Sequence, residues 1–103
     1  MDKKVMTLLE TTIEIRHMIS SDLAFRNNAS AFFNQVNNMP FDKIYIDFSG
    51  VNSISRSFAH EYSIRKKNTN KLINEINIPE NIQKMFRIVN SVPEIKEIDY
   101  CLE

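Results

Sequence analysis

The sequence predicts a small α/β domain in which about three helices pack against a largely parallel or mixed sheet. Short apolar runs typical of strands alternate along the chain with longer segments whose apolar residues recur every three or four positions. The resulting order of strand, helix, strand, helix, strand, helix is typical of parallel βαβ units. The length of 103 residues favours a single domain over residues 1–103, because it is too short for two separate cores.

Three strands are predicted from their apolar residues. The first covers 11–17, where Ile13 and Ile15 alternate with polar side chains. The second covers 44–48 and has large residues on both faces, so we expect helices to cover it on each side. The third covers 71–78, with a less regular alternation.

The first helix is predicted to begin at Ser20, Ser21 and Asp22, whose oxygens suit an N-cap, and to end near 37 or 38. The second is predicted to begin at Ser55 or Ser57 as its cap and to end over 68–70. The inward-facing stripes of these two helices are Phe25, Ala29, Phe32, Phe33 and Val36 in the first, and Phe58, Ala59 and Tyr62 in the second.

The third helix has Pro79 at its first position, where the missing amide costs nothing, and should end by Val92. Its apolar residues, at i, i+3, i+4 and i+7, form the most regular helical pattern of the chain. Residues 1–10 fit a frayed terminus, an edge strand or a short helix, and residues 93–103 fit an edge strand or a docked segment. The apolar residues of the third helix are Ile82, Met85, Phe86 and Val89, and those of the segment 93–103 are Ile95, Ile98, Tyr100 and Leu102.

Composition excludes several function classes. Thirteen basic and thirteen acidic side chains cancel, so neither nucleic acid nor an anionic membrane is an expected partner. The basic residues at 65–67 are interpreted as a solvated helix end. The single cysteine, Cys101, excludes an intramolecular disulfide, and the N-terminus lacks the apolar run of an export signal or a membrane span. We therefore expect a cytoplasmic protein.

The stretch 44–62 is the candidate site, because open parallel sheets place ligands at the carboxyl ends of their strands. Asp47 is expected to accept amides of the following loop, and Gly50 to adopt a positive φ angle. Arg56 either binds a carboxylate or phosphate of a partner or is simply solvated. The candidate partner- or ligand-binding residues are Asp47, Ser49, Gly50, Ser53, Ser55, Arg56, Ser57, His60 and Glu61.

Catalysis and cofactor binding are not expected from these residues. Ser57, His60 and Glu61 share one helix at spacings that poorly suit activation of a nucleophile. His17 and His60 belong to no close set of metal ligands, and a single glycine cannot build a glycine-rich phosphate loop. Glu61 is expected either to pair with Arg26 across two helices or to accept amides near its own helix start. We predict no enzyme activity, no metal and no cofactor.

The central stretch resembles a known family. Residues 47–51 and 54–61, DFSGV and ISRSFAHE, are similar to the signature of the STAS-like domains of unknown function. Two flanking features are also similar: Arg26 followed by Ala29 in the first helix, and residues 77–80, NIPE, before the last one. The resemblance covers 20–92 and implies a small STAS-like domain.

More distant relatives are the STAS-fold anti-sigma factor antagonists, which bind an anti-sigma kinase and are switched by serine phosphorylation in this turn. Their phosphoacceptor position is occupied here by Arg56, so Ser55 and Ser57 become the candidate phosphorylation sites. The resemblance implies a non-catalytic regulatory module of the partner-switching type that binds a protein, such as a kinase-like ATPase, through 49–57 and the following helix. The alternatives are a small-ligand or nucleotide sensor at the same helix start and a self-associating subunit, such as a homodimer.

Overall fold

The computed structural model describes residues 9–91 and contains one main sheet, one two-stranded sheet and four helices in that range. The elements in chain order are β1 (Glu10–Glu14), α1 (Ile15–Met18), β2 (Asp22–Leu23), α2 (Arg26–Asn37), β3 (Lys43–Asp47), β4 (Ser53–Ile54), α3 (Arg56–Asn68), β5 (Leu72–Ile76) and α4 (Glu80–Asn90).

The main sheet has the order β1-β3-β5 and is parallel throughout. Ile44 of β3 is in register with Thr11 on one side and Ile73 on the other. The predicted α/β class with a parallel sheet is therefore confirmed. The strand order advances in one direction, so right-handed crossovers place α2 and α3 on the same face of the sheet.

The core lies between that face and the helices. Ile44 and Ile46 of β3 are fully buried, and the ring of Tyr62 from α3 lies at the centre of the aromatic side chains above them. Its centroid is 5.0 Å from Phe33 of α2 and 5.2 Å from Phe86 of α4. Aromatic pairs at such separations contribute about 0.5 to 1.5 kcal/mol each beyond their burial, so Tyr62 joins the three longer helices.

The opposite face of the sheet differs from the prediction. Tyr45 is only half-buried and Leu72 is 53% exposed, although both lie in strands of the main sheet. Helices were expected on both sides of β3, whereas α2, α3 and α4 each contribute buried residues to the cluster around Ile44 and Ile46, such as Phe33, Tyr62 and Ile82. Within residues 9–91 the prediction of two covered faces is wrong. The one-directional strand order is the physical reason.

The first predicted strand is too long and the first predicted helix begins too early. β1 ends at Glu14, and the single turn α1 directs Ile15 into the core, where it is fully buried. Ser20 accepts a hydrogen bond from the Asp22 amide at 3.0 Å instead of capping a helix. The helix α2 begins at Arg26 after Phe25, which is 70% exposed and not part of the core.

The remaining boundaries are close to those predicted. α2 ends at Asn37 and α3 at Asn68, while β5 is shorter at both ends than the predicted 71–78. Pro79 is the N-cap of α4 and not its first residue. The predictions for residues 1–8 and for the segment after Val92 lie outside the described residues; Glu10 belongs to β1.

Candidate functional site

The candidate site lies where β3 ends and α3 begins. The chain leaves the carboxyl end of β3 at Asp47, turns through Gly50, pairs briefly as β4 and enters α3 at Arg56. The strand, turn and helix start predicted for 44–62 are thus in place. An additional feature is β2, which pairs with β4 in parallel and joins the start of α2 to the start of α3.

Asp47 organises the turn. Its Oδ1 accepts the amide of Ser49 at 2.8 Å and the hydroxyl of Ser49 at 2.6 Å. The Asn77 amide nitrogen donates to the same oxygen at 3.1 Å. These bonds, first of all the one from the Ser49 hydroxyl, lower the pKa of Asp47 below its ordinary value. The expectation that this carboxylate accepts a loop amide is confirmed, and its contacts give it a structural role.

Gly50 has a φ angle of +79°, as expected for the turn. The side chain of Arg16 lies against it, since a Cβ on Gly50 would come 2.9 Å from the Arg16 Cδ. Arg16 also contributes to the lowered pKa of Asp47 through its charge. This arginine was not among the predicted site residues, because the period of two had placed it in a strand.

The side chain of Ser53, in β4, bonds to the neighbouring strand β2. Its hydroxyl donates to the Asp22 carboxylate at 2.7 Å, and the neighbouring Asn52 amide donates to the Ser21 carbonyl at 2.8 Å. Side chains that were expected to cap a helix therefore hold this short parallel pair together. Ser53 has a structural partner and is exposed at the surface.

Ser55 is the cap of α3, one of the two predicted alternatives. Its oxygen accepts from the Phe58 amide at 3.1 Å, and its hydroxyl donates to the Ala24 carbonyl at 2.7 Å. The Ser55 amide also donates to the Leu23 carbonyl at 2.8 Å. Ser55 thus ties α3 to the strand that leads into α2, and phosphorylation of its oxygen would remove the donor of the bond to Ala24.

Phe25, Arg56 and Ser57 are exposed residues that lie close along the chain to the Ala24–Ser55 contact. The Ser55 hydroxyl bonds to the Ala24 carbonyl. Phe25 follows Ala24 and lies at the start of α2, and Arg56 follows Ser55 and lies at the start of α3. Both Arg56 and Ser57 are exposed, and the Ser57 oxygen is 3.3 Å from that of Ser55. Within residues 9–91 the Arg56 guanidinium forms no ion pair. We call Phe25, Arg56 and Ser57 the helix-start surface.

Glu61 forms a network between α2 and α3, one turn behind the helix-start surface. Its Oε2 accepts from Arg65 at 2.9 Å and from the Ser30 hydroxyl at 3.1 Å. The Arg26 Nε lies 3.8 Å from Oε1, which confirms the predicted pairing across the helices. The Arg65 hydrogen bond is the main cause that lowers the pKa of Glu61. His60 precedes it and is half-buried.

Six of the nine predicted site residues have structural roles. Asp47, Ser49 and Gly50 shape the turn, Ser53 and Ser55 connect it to the start of α2, and Glu61 joins two helices. Of the other three, Arg56 and Ser57 are exposed and His60 is half-buried. Sequence reasoning missed Phe25, which is the most exposed of the large apolar side chains in residues 9–91. Its position three residues after Asp22 was the only signal in the sequence, and this position equally fitted a residue of the inward-facing stripe of the first helix.

Comparison with known protein families agrees with this geometry. Residues 28–96, about two thirds of the chain, match the STAS-like domain of unknown function. The chain belongs to this family. The match confirms the resemblance drawn from the turn and from the start of α3, and the STAS-like α/β assignment with it. No curated protein matches the chain, and no solved structure does.

The described part of this STAS-like domain contains neither a candidate membrane span nor a candidate metal site. Residues 9–91 contain no helix that is both long and apolar enough to cross a membrane. The same residues contain no group of three or more histidine, cysteine, aspartate or glutamate side chains that could hold a metal ion.

Proposed function

We propose that this STAS-like domain is a non-catalytic regulatory module of the cytosol that binds another protein through the helix-start surface and the adjoining turn over 49–57. The partner would be a protein that exchanges between complexes, such as a kinase-like ATPase. The observation that carries the proposal is the exposure of Phe25 and Arg56, the two residues that follow the Ala24–Ser55 hydrogen bond, with no ion pair to Arg56 within residues 9–91.

Neither residue is explained by the stability of the fold. An exposed phenylalanine gains little from burial, whereas aromatic and arginine side chains are enriched at protein interfaces. A cation at the first residue of a helix opposes the helix dipole, at a cost of about 0.3 to 1 kcal/mol. Arg56 occupies that position in α3. An aromatic anchor beside an available guanidinium favours a partner that offers an apolar pocket and a carboxylate or phosphate.

Ser57 supports the switching part of the proposal. The Ser55 oxygen is engaged in a cap and in a bond to Ala24, while Ser57 is exposed and has only Ser55 as a hydrogen-bond partner within residues 9–91. A phosphate on Ser57 would lie near the positive end of the α3 dipole and next to Arg56. It would neutralise the cation that we assign to partner binding. We therefore propose Ser57, and not Ser55, as the regulated serine.

Affinity capture from a native lysate, with each retained protein identified by mass spectrometry, tests the binding surface. Phe25→Ala and Arg56→Ala should each reduce capture of the same partner by about tenfold, since interface anchors of this type contribute on the order of 1 to 2 kcal/mol. Leu72→Ala and Lys84→Gln are matched controls, because they remove an exposed apolar group and an exposed cation elsewhere. These controls should retain the partner.

Equal capture by all four variants would reject the helix-start surface as the binding site. The phosphorylation step is tested separately by incubating the domain with the captured partner and ATP and then mapping phosphate by mass spectrometry. Ser57 should carry the modification, and Ser57→Glu should release the partner. Phosphate found on Ser55 alone, or full binding by Ser57→Glu, would contradict the proposed switch.

A further inference from the structure

A groove between α3, α4 and β5 is separate from the helix-start surface. Its volume is about 510 Å³, which is within the range of small-molecule sites. Ile78 and Phe86, both half-buried, form an apolar floor next to Tyr62, which is almost fully buried. Its rim includes Lys66 and Lys67 from α3 and Arg87 from α4.

The charges of this groove are unbalanced. Among the described residues that line the groove, Glu75 is the one carboxylate, and it already accepts from Lys66 at 2.8 Å and from the Tyr62 hydroxyl at 2.8 Å. Three cations and one carboxylate give these described residues an excess of two positive charges. Neither Lys67 nor Arg87 forms an ion pair within residues 9–91. Each is a cation in the last turn of its helix, where the helix dipole favours positive charge. The dipole does not explain why the two cations line the same groove.

The size of the groove indicates a small occupant. Along α4 it extends from Gln83 to Asn90, a distance of about 10 Å at about 1.5 Å per residue. A standard protein interface covers about 800 Å² on each partner, far more than two helical turns offer. An apolar floor with cations at the rim matches a molecule that has an apolar body and one anionic end.

We propose that the groove between α3 and α4 binds a small amphipathic organic anion, with its apolar body on Ile78 and Phe86 and its anionic group between Lys67 and Arg87. This inference goes beyond the proposed protein-binding function and does not depend on it. The occupant's class is a carboxylate or sulfonate that carries an aromatic or aliphatic body.

Fluorescence titration of the full chain with anilinonaphthalene sulfonate tests the proposal, with phenylnaphthylamine as a neutral probe of similar shape. The sulfonate should bind in a ratio of one to one and should be displaced by decanoate. Lys67→Gln and Arg87→Gln should each weaken sulfonate binding about threefold, and the double variant about tenfold, as expected for partly exposed ion pairs. Phenylnaphthylamine affinity should change by less than about twofold in the same variants.

Lys84→Gln is the matched control, because Lys84 is an exposed cation of α4 that does not line the groove. It should bind the sulfonate as the parent chain does, provided that circular dichroism and the unfolding midpoint are also unchanged. Absence of binding, equal affinity for the two probes, or an equal loss in Lys84→Gln and Arg87→Gln would overturn the proposal. Phe25→Ala and Arg56→Ala should leave probe binding intact, so this test and that of the helix-start surface can fail separately.

Discussion

Replacement of Ser55 by alanine should destabilise the domain far more than the same replacement of Ser57. Ser55→Ala removes the oxygen that caps α3, which contributes about 1 kcal/mol. It also removes the donor to the Ala24 carbonyl, a bond with a net contribution of about 0.5 to 1.5 kcal/mol. Since the site is partly exposed, we expect a total loss of about 1.5 kcal/mol, or about 6 to 12 °C in Tm for a domain of this size.

Urea unfolding followed by circular dichroism measures this loss as a shift of the midpoint at constant slope. Ser57→Ala is the matched control, and its free energy of unfolding should stay within about 0.5 kcal/mol of the parent value. Ser55→Thr keeps a hydroxyl and should recover most of the loss. Equal effects of the two alanine substitutions would refute the assignment of Ser55 as the structural serine.

Three further predictions concern the surrounding contacts. Arg65 and Ser30 lower the pKa of Glu61, so its carboxylate stabilises the fold above the ordinary glutamate pKa and loses this effect as pH falls through the lowered value. The difference in urea midpoint between the parent chain and Glu61→Gln should therefore shrink from about pH 6 to about pH 3; a constant difference would contradict the network. Gly50→Ala should lower the free energy of unfolding by about 1 kcal/mol because of the positive φ, and Gly50→Asn should lower it less. Thermal unfolding of both variants measures this difference. Tyr62→Phe should cost about 1 kcal/mol in urea unfolding by removing the bond to Glu75, and no loss would show that this buried bond contributes nothing net.

The regular elements could be predicted because their patterns are local. Ile82 and Val89 are seven residues apart and both are buried on α4, as the helical period requires. Ile44 and Ile46 are two residues apart in β3 and both are buried, as side chains on one face of a strand can be. Patterns of this kind report which side chains share a face, and the core follows from them.

The start of α2 could not be predicted because it depends on a distant partner. Ser20, Ser21 and Asp22 have the composition of a cap, but Asp22 pairs with Ser53, thirty-one residues away. That pairing moves the helix start to Arg26 and leaves Phe25 exposed. Two-residue strands have no recognisable period, so neither β2 nor β4 left a signal in the sequence.

The one-sided cover of the main sheet has a similar cause. The composition of β3 indicates a strand, but it does not specify which strands lie beside it. The order β1-β3-β5 is set by long-range pairing, and this order assigns α2 and α3 to the same face. Tyr45 and Leu72 therefore keep exposed area that their residue types alone did not predict.

Ser55 and Arg56, neighbours at the start of α3, differ in how far the fold explains them. The fold accounts for Ser55, because its oxygen caps the helix and its hydroxyl holds the approach to α2. It does not account for Arg56, since a cation at this position opposes the helix dipole and has no carboxylate partner in the described range. Exposed Phe25 is unexplained in the same way and leaves the same short strand pair. The proposed partner would bind both residues and would thereby account for the two exposed side chains that the fold does not explain.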